Sequence, residues 1–497
     1  MVPLTFVGGL DGMVTSVGWR VIGDSLGGFE QQAWVTTAFL AGGAATIPFW
    51  GRLADTRGRP QLLAAALILF AVGTAGCGMA RSMLELAAWR ALQGAGGAAA
   101  WPVAQAFVHV AIPPKDRGRY VGFFTAAYVA GVAVAPLGGL IASAGQIAGV
   151  AGWRWLFFVQ VPVIVANLAA VWAARRLPDQ RTAARIDMRG GALLVLGVGA
   201  LALAPQFARD LSGANPTVLV CMGVAFGAFG AFYLSARSAG PRSVLPLAML
   251  RGPQFRRGLP ALMLGYFATA GVAYVLPLYW QISRGASPAL AGWLIWPQIL
   301  GTLAGSFAES VFMSRTGRYK LQSAVGFGLM TVGIAAVAPL GYTAPWPLAG
   351  LAVFLYGLGV GLAFAPLEVA LQRSVPPAEY ATASGATALV KSMVLTVGAS
   401  VQLAVLFAAA QARIAAQMRI DGTALPPGAV FDLGHTAGLA ELPGPVRQSI
   451  ETGFATAVGL DLAGCCLAAL LALAAVLRVP EERFEAGTRR RARRTAR

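Results

Sequence analysis

Histidine is nearly absent from this chain, with His109 and His435 the only two in 497 residues. Cysteine is almost as scarce: Cys77, Cys221, Cys465 and Cys466 all lie in apolar stretches without metal-type spacing. These shortages leave little from which to build a zinc site, a Cys–His nucleophilic pair or a disulfide scaffold. No cofactor and no metal are expected. Charge is short as well, at 12% of residues against 57% hydrophobic, and mean hydropathy is +0.67. Soluble domains carry about a quarter of their residues as charges, so that class is excluded. Acidic residues are the scarcer sign, 20 against 38 basic, for a net charge of +18. Such an excess can signal a nucleic-acid partner. Here the basic residues sit in short tethers between apolar runs, which is the pattern of membrane loops, and no nucleic acid is expected.

What the sequence has in abundance is apolar helix. Runs near crossing length fall at about 4–22, 33–51, 61–80, 86–111, 118–142, 153–174, 190–208 and 216–236. Six more follow at about 257–281, 289–313, 320–341, 346–372, 380–410 and 453–478, making fourteen. The first run starts almost at Met1 and has no small-residue cleavage site, so it reads as a span and not as a removable signal. The 62 glycines suit close helix packing in lipid.

Alternate tethers are rich in Lys and Arg: Arg52/Arg57/Arg59, Lys115/Arg117/Arg119, Arg175–Arg189, Arg237–Arg257, Arg315/Arg318/Lys320 and the tail through Arg497. By the positive-inside rule these lie in the cytoplasm, which puts both termini there and requires an even number of spans. The expected organisation is a six-helix bundle over 1–175, then tethers and two inserted helices over 176–256. A second six-helix bundle over 257–480 carries an external loop at 411–452, and a basic cytoplasmic tail occupies 481–497. Within that loop, helix is expected around Gln411–Met418 and Pro443–Ser449. The tail is placed to lie against anionic lipid.

One tether is repeated. Gly51-Arg52-Leu53-Ala54-Asp55-Thr56-Arg57-Gly58-Arg59 follows the second run, and Ser310-Val311-Phe312-Met313-Ser314-Arg315-Thr316-Gly317-Arg318 follows the tenth. Repeats at matching places in two helical halves are a transporter signature. The fourth run contains Arg90-Ala91-Leu92-Gln93-Gly94-Ala95-Gly96-Gly97-Ala98, and the fifth contains Gly131-Val132-Ala133-Val134-Ala135-Pro136-Leu137-Gly138-Gly139. Leu10-Asp11 leads to Gly23-Asp24-Ser25-Leu26-Gly27, with Gly152-Trp153-Arg154-Trp155 and Pro277-Leu278-Tyr279-Trp280-Gln281 further on.

In this order the motifs resemble the major facilitator superfamily, specifically its fourteen-span drug:proton antiporter branch. The departures from that pattern are Ala135 where Gly precedes the proline, and Ser16 and Arg20 in the first span. The resemblance implies an all-α membrane protein of two six-helix bundles plus two central helices. It further implies a monomeric, proton-coupled exporter of amphipathic drugs or toxic metabolites in the bacterial cytoplasmic membrane. A lipid or siderophore exporter is the alternative, and the external segment offers a place for a periplasmic partner. A membrane enzyme or sensor is the remote reading, since neither a nucleophile–base pair nor a soluble signalling domain is visible. Without an ATP-binding loop, the driving energy must come from a gradient.

Charge inside a bilayer costs about 2.5–3.5 kcal/mol on insertion scales, so it marks function first. Asp11 is placed to take and release a proton, with Arg90 on the fourth run tuning it and orienting Gln93. Lys391 and its candidate partner Glu368 form the corresponding pair in the second half. Glu309 and Asp461 read as interfacial or locally paired, and His109 as packing. Gly51, Asp55, Arg57, Gly58 and Arg59 form the gating loop. Gly131, Pro136, Gly138 and Gly139 form the antiporter motif, where the proline bends the helix. Expected cavity walls are Gln93, Trp101, Phe124, Tyr128, Tyr274, Gln281, Trp296 and Gln298, with Tyr266 and Gln402 further candidates.

Overall fold

The computed structural model describes residues 2–27, 32–57, 59–98, 127–174, 187–207, 215–316, 318–337, 345–376, 380–423 and 442–480. These are almost entirely helical. The one sheet among them is a small hairpin pairing Gln146–Ile147 with Val150–Ala151. Helix occurs within every one of the fourteen apolar runs. Eight described helices are long and apolar enough to cross a membrane, and Ala127–Ser143 and Met188–Leu203 are shorter apolar helices. The arrangement is compatible with fourteen crossings.

Several runs are interrupted where the sequence suggested one rod. The first breaks at Gly18 into Val2–Val17 and Trp19–Leu26. The ninth breaks at Gly271 into Pro253–Ala270 and Val272–Ile282. A Cβ at Gly271 would meet the side-chain amide of Gln402, so only glycine leaves that amide its place. The tenth divides into Pro288–Trp293 and Trp296–Thr316. Within the segment expected as an external loop, 411–452, helix is found at both ends, where it was expected. The Tyr380–Ile420 helix continues through its start, and the Gly444–Leu477 helix supplies its end. Residues 424–441 and the tail lie outside the described residues.

The chain divides into two compact units. The larger holds Met1–Pro246, Thr269–Ile295 and Ser392–Asp461. Its core includes Val7, Leu63, Leu67 and Phe70, all buried, with Phe39 packed against them. Inside it the Met188–Leu203 and Pro216–Ala239 helices are joined at one end by Asp187. This carboxylate accepts from the amide of Gly190 at 2.9 Å, as an N-cap, and from Ser235 Oγ at 2.9 Å. Ser400 Oγ also donates to the carbonyl of Ala202 in this unit. The smaller unit holds Leu247–Ala268, Trp296–Lys391 and Leu462–Arg497. There Lys320–Val337 and Trp296–Thr316 both pack on Trp346–Arg373, and Gln322 Nε2 donates to the Glu309 carbonyl at 3.0 Å.

Candidate functional site

The site in the larger unit starts with Ser82, whose side chain accepts from the amide of Glu85 and starts the Met83–Gly97 helix. Two turns on, that helix carries Arg90 and Gln93 on one buried face, three residues apart. The Val2–Val17 helix brings Asp11 to them. It lies backbone to backbone on the Ala127–Ser143 segment, where a Cβ on Gly9 would meet the Tyr128 carbonyl at 2.1 Å, and one on Gly131 the Phe6 carbonyl at 2.3 Å.

Asp11 Oδ1 accepts from Arg90 Nη1 at 2.6 Å and from Gln93 Nε2 at 3.1 Å. The same Nη1 donates to Gln93 Oε1 at 2.8 Å. Gln93 Nε2 also donates to Thr74 Oγ1 at 3.0 Å, and the Thr74 hydroxyl donates in turn to the Phe70 carbonyl at 2.7 Å. Cys77 Sγ lies 3.8 Å from Gln93 Oε1. The Arg90 side chain is fully buried and that of Asp11 is 5% exposed. The guanidinium carbon stands 4.3 Å from the Phe39 ring centre and 5.9 Å from that of Trp19. Those ring faces stand beside a cation whose Nε and Nη2 have no hydrogen-bond partner among the described residues.

Asp11 forms part of the wall of a cavity of about 370 Å³, otherwise lined largely by apolar and aromatic groups including Phe39, Leu63, Phe70, Tyr128 and Tyr274. Tyr128 and Tyr274, both read from sequence as cavity walls, meet there. Gln93 stands behind Asp11 rather than among the lining residues. Gln281 is buried, and its carbonyl accepts from Arg20 Nη1 at 2.8 Å. Arg20, a departure from the family pattern, thus ties the Trp19–Leu26 helix to the end of Val272–Ile282. Trp296 and Gln298 belong to the smaller unit, away from this cavity's lining. Trp101, Phe124, His109 and Gly58 lie outside the described residues. Gly51, Asp55 and Arg57 end one helix and Arg59 begins the next, with their side chains outside the described set.

Helix is broken at Val134, and Pro136 sits in the first turn of Ala135–Ser143, where its missing N–H costs nothing. Gly139 there abuts the Pro288 carbonyl, and Gly292 abuts Ala135 and Pro136, closer than any side chain would permit. Gly138 is buried in the same helix. The Arg154 guanidinium donates to the carbonyls of Gly78 and Ala80 at 2.8 and 2.7 Å, satisfying groups at the end of the Arg59–Met79 helix.

The smaller unit holds the second ionisable cluster. Lys391 Nζ is 3.9 Å from Glu368 Oε1, with side-chain exposures of 46% and 27%. Tyr266 Oη donates to the same Oε1, and its ring stacks on Phe364 with centroids 4.3 Å apart. The ammonium stands 5.0 Å from the Tyr266 ring centre. Asp461 departs from its reading as interfacial or paired: it is buried, and its Oδ2 has no partner among the described residues. No group of three or more metal-type ligands occurs among those residues.

The family model described as Major Facilitator Superfamily matches residues 1–399. The chain belongs to this superfamily. Multidrug resistance protein fnx1 of Schizosaccharomyces pombe is 27% identical over 436 residues, 85% of this chain and 81% of that protein. An uncharacterized MFS-type transporter of Mycobacterium tuberculosis is 30% identical over 353 residues, 70% of this chain but half the length of that relative. Among solved structures, a bacterial homolog to the human lysosomal transporter Spinster, inward-facing and unoccupied, superposes with a TM-score of 0.65. It is 18% identical, with 96% of each chain covered, a likeness of fold. The protein is an all-α, multi-pass membrane transporter of the major facilitator superfamily and not an enzyme.

Within that superfamily frame, sequence reasoning had Asp11, Arg90, Gln93 and the Glu368–Lys391 pair, and the structure brings each group together. It missed Thr74, Cys77, Phe39 and Trp19 around Arg90, and the hydroxyl bond from Tyr266. The signal for the first set was thin: a lone threonine and a lone cysteine in an apolar helix, on the face that turns toward Gln93.

Proposed function

We propose that the protein is a proton-coupled antiporter that exports amphipathic drugs or toxic metabolites across a bacterial cytoplasmic membrane by alternating access. The observation that carries this reading is Asp11: a carboxylate on the wall of an apolar, aromatic cavity, held by a buried guanidinium. Such a cavity suits an amphipathic small molecule, and such a carboxylate is the kind of intramembrane group that serves proton relays. Multidrug resistance protein fnx1 is named for this kind of activity.

The hydrogen bonds supply a switch. With Asp11 ionised, Nη1 of Arg90 is shared between Asp11 Oδ1 and Gln93 Oε1. Protonation of Asp11 removes the charge that draws the guanidinium, while Gln93 Oε1 still accepts from Nη1. Arg90 keeps its charge throughout. The Val2–Val17 helix is then no longer held to Met83–Gly97 by an ion pair, and the two helices are free to shift. Glu368 and Lys391 form the second coupling pair. The Gly51–Arg59 loop closes the cytoplasmic side in one state. The glycine contacts of Ala135–Ser143 close the other side in the alternate state.

This reading keeps fourteen crossings, arranged as bundles 1–175 and 257–480 around the inserted pair, with both termini cytoplasmic and the monomer as the working unit. In proteoliposomes with an imposed pH gradient, addition of a transported drug should release protons through the wild type. Asp11→Asn should abolish that release while drug binding persists. Full proton release by Asp11→Asn would sink the proposal.

A further inference from the structure

The Tyr266–Glu368–Lys391 cluster is put together in a way that a simple ion pair does not require. Lys391 lies about 12 Å of helix beyond Ala383, where its apolar segment begins, farther than a lysine side chain reaches back. A charge at that depth is held there for something it faces. Its partner does not satisfy it. Glu368 Oε1 stands 3.9 Å away, beyond the 2.7–2.9 Å or so of a charge-assisted hydrogen bond. The same oxygen instead accepts a hydrogen bond from the Tyr266 hydroxyl. Tyr266 is itself fixed, with its ring stacked on Phe364, which in turn meets Phe327 edge-on at 5.6 Å. Its face lies 5.0 Å from the ammonium. Among the described residues, these two contacts are the ones the ammonium makes, and 46% of the side chain remains exposed.

We infer that Lys391 is the receiving group for a substrate anion, and that the exported molecules are amphipathic carboxylates or similar monoanions. The inference rests on the exporter reading and narrows it. Tyr266 is a positioning residue: by occupying Glu368 Oε1 it keeps the carboxylate from closing on Lys391. The ammonium's donors then stay available to a ligand oxygen. The Tyr266 ring is fixed among buried Phe364 and Phe327, which keeps its hydroxyl on Glu368. Glu368 stays close enough to reclaim Lys391 when the anion leaves.

The test is equilibrium binding to the full-length protein in nanodiscs at neutral pH with no gradient. Two tritiated naphthyl amphipaths are compared, one ending in a butyrate carboxylate and the other in a trimethylammonium. The carboxylate should bind at least about tenfold more tightly, the worth of one charge-assisted hydrogen bond. Lys391→Gln should lose that preference, and Lys391→Arg should keep most of it. Tyr266→Phe should lower carboxylate affinity several-fold, but not in a Glu368→Gln background, where no anion competes for the ammonium. A merely structural role for Tyr266 would weaken both probes in both backgrounds.

Equal binding of the two probes by the wild type, or a preference that survives Lys391→Gln, overturns the inference. If Lys391→Gln does not fold, Glu368→Gln decides, since it should raise carboxylate affinity and an unchanged or lowered value overturns the inference. Binding preference is measured without a gradient and proton release with one, so the two are scored separately. Loss of the preference with proton release intact therefore removes this inference alone. Preference retained in a wild type that releases no protons removes the exporter reading alone.

Discussion

In the larger unit the acid and base are sealed together: Asp11 and Arg90 meet at 2.6 Å with side chains 5% and 0% exposed. In the smaller unit the corresponding groups stand apart, with Glu368 and Lys391 at 3.9 Å and one of them nearly half exposed. Both pairs have a neutral third member, and its role differs. Gln93 bridges Asp11 and Arg90 by bonding to each. The Tyr266 hydroxyl donates to the acid, and the base meets only the face of its ring. In the proposed mechanism the first pair is the one broken by a proton, and the second is the one shared with a ligand. A buried pair is strongly coupled to folding when one partner goes, whereas an exposed pair hardly is.

That contrast can be broken by measurement, and the largest effect is expected at Arg90. Arg90→Leu strands the Asp11 carboxylate and should destabilise the protein by about 3–5 kcal/mol, read as a fall in thermal midpoint in lipid nanodiscs. Asp11→Leu with Arg90→Leu should recover most of that loss, because no charge is then left alone. A double variant no better than the single one would show that Arg90 supports the fold through its ring contacts rather than through Asp11. Asp461→Leu should act in the opposite direction. It removes a buried oxygen with no partner among the described residues and should stabilise by about 1–3 kcal/mol; a destabilised variant would mean that the carboxyl has a partner elsewhere in the chain. Lys391→Gln should shift stability by less than about 1 kcal/mol, since the pair is long and partly exposed. A drop comparable to that of Arg90→Leu would erase the distinction between the two units.

The smallest expected effect is at Glu85, in the first turn of the Met83–Gly97 helix and just ahead of the apolar run. The Arg81 amide, at 2.9 Å, and the Trp89 indole hold its carboxyl below the ordinary value. A lowered folded value means that its contribution is complete above the ordinary carboxylate range and fades as acid takes the pH down through the lowered value. Glu85→Gln should therefore lower stability slightly at neutral pH and converge with the wild type in strong acid, which flattens the acid limb of the stability profile. An unaltered acid limb would show that those bonds do not anchor the helix start.

The fold was legible because lipid simplifies the problem. Apolar length and the alternation of arginine tethers are one-dimensional facts, and the helices follow them closely. Asp11, Arg90 and Lys391 were legible for a related reason, since a charge within a run of Leu, Val and Ala stands out. The environment of those charges was not. Tyr266 read as one aromatic wall among several, because the register of Pro253–Ala270 against Trp346–Arg373 sets which oxygen its hydroxyl meets. Thr74 and Cys77 were hidden in the same way by the register of Arg59–Met79 against Met83–Gly97. Asp461 was misread because a carboxyl near a helix middle looks the same in sequence whether a cation faces it or nothing does. The breaks at Gly18 and Gly271 escaped because each glycine was one of 62.

The Tyr380–Ile420 and Gly444–Leu477 helices contain 41 and 34 residues, about 61 and 51 Å of rod against an apolar slab of about 30 Å. Near the segment that joins them they are locked side by side. Gly453 sits against the backbone of Ile414, and Ser449 Oγ donates to the Asp421 carboxylate at 2.6 Å. Such a braced pair of rods is a handle. A small rigid domain spliced between Thr423 and Leu442 would inherit its orientation from both helices at once. It would give single-particle microscopy a fiducial fixed to the helices themselves.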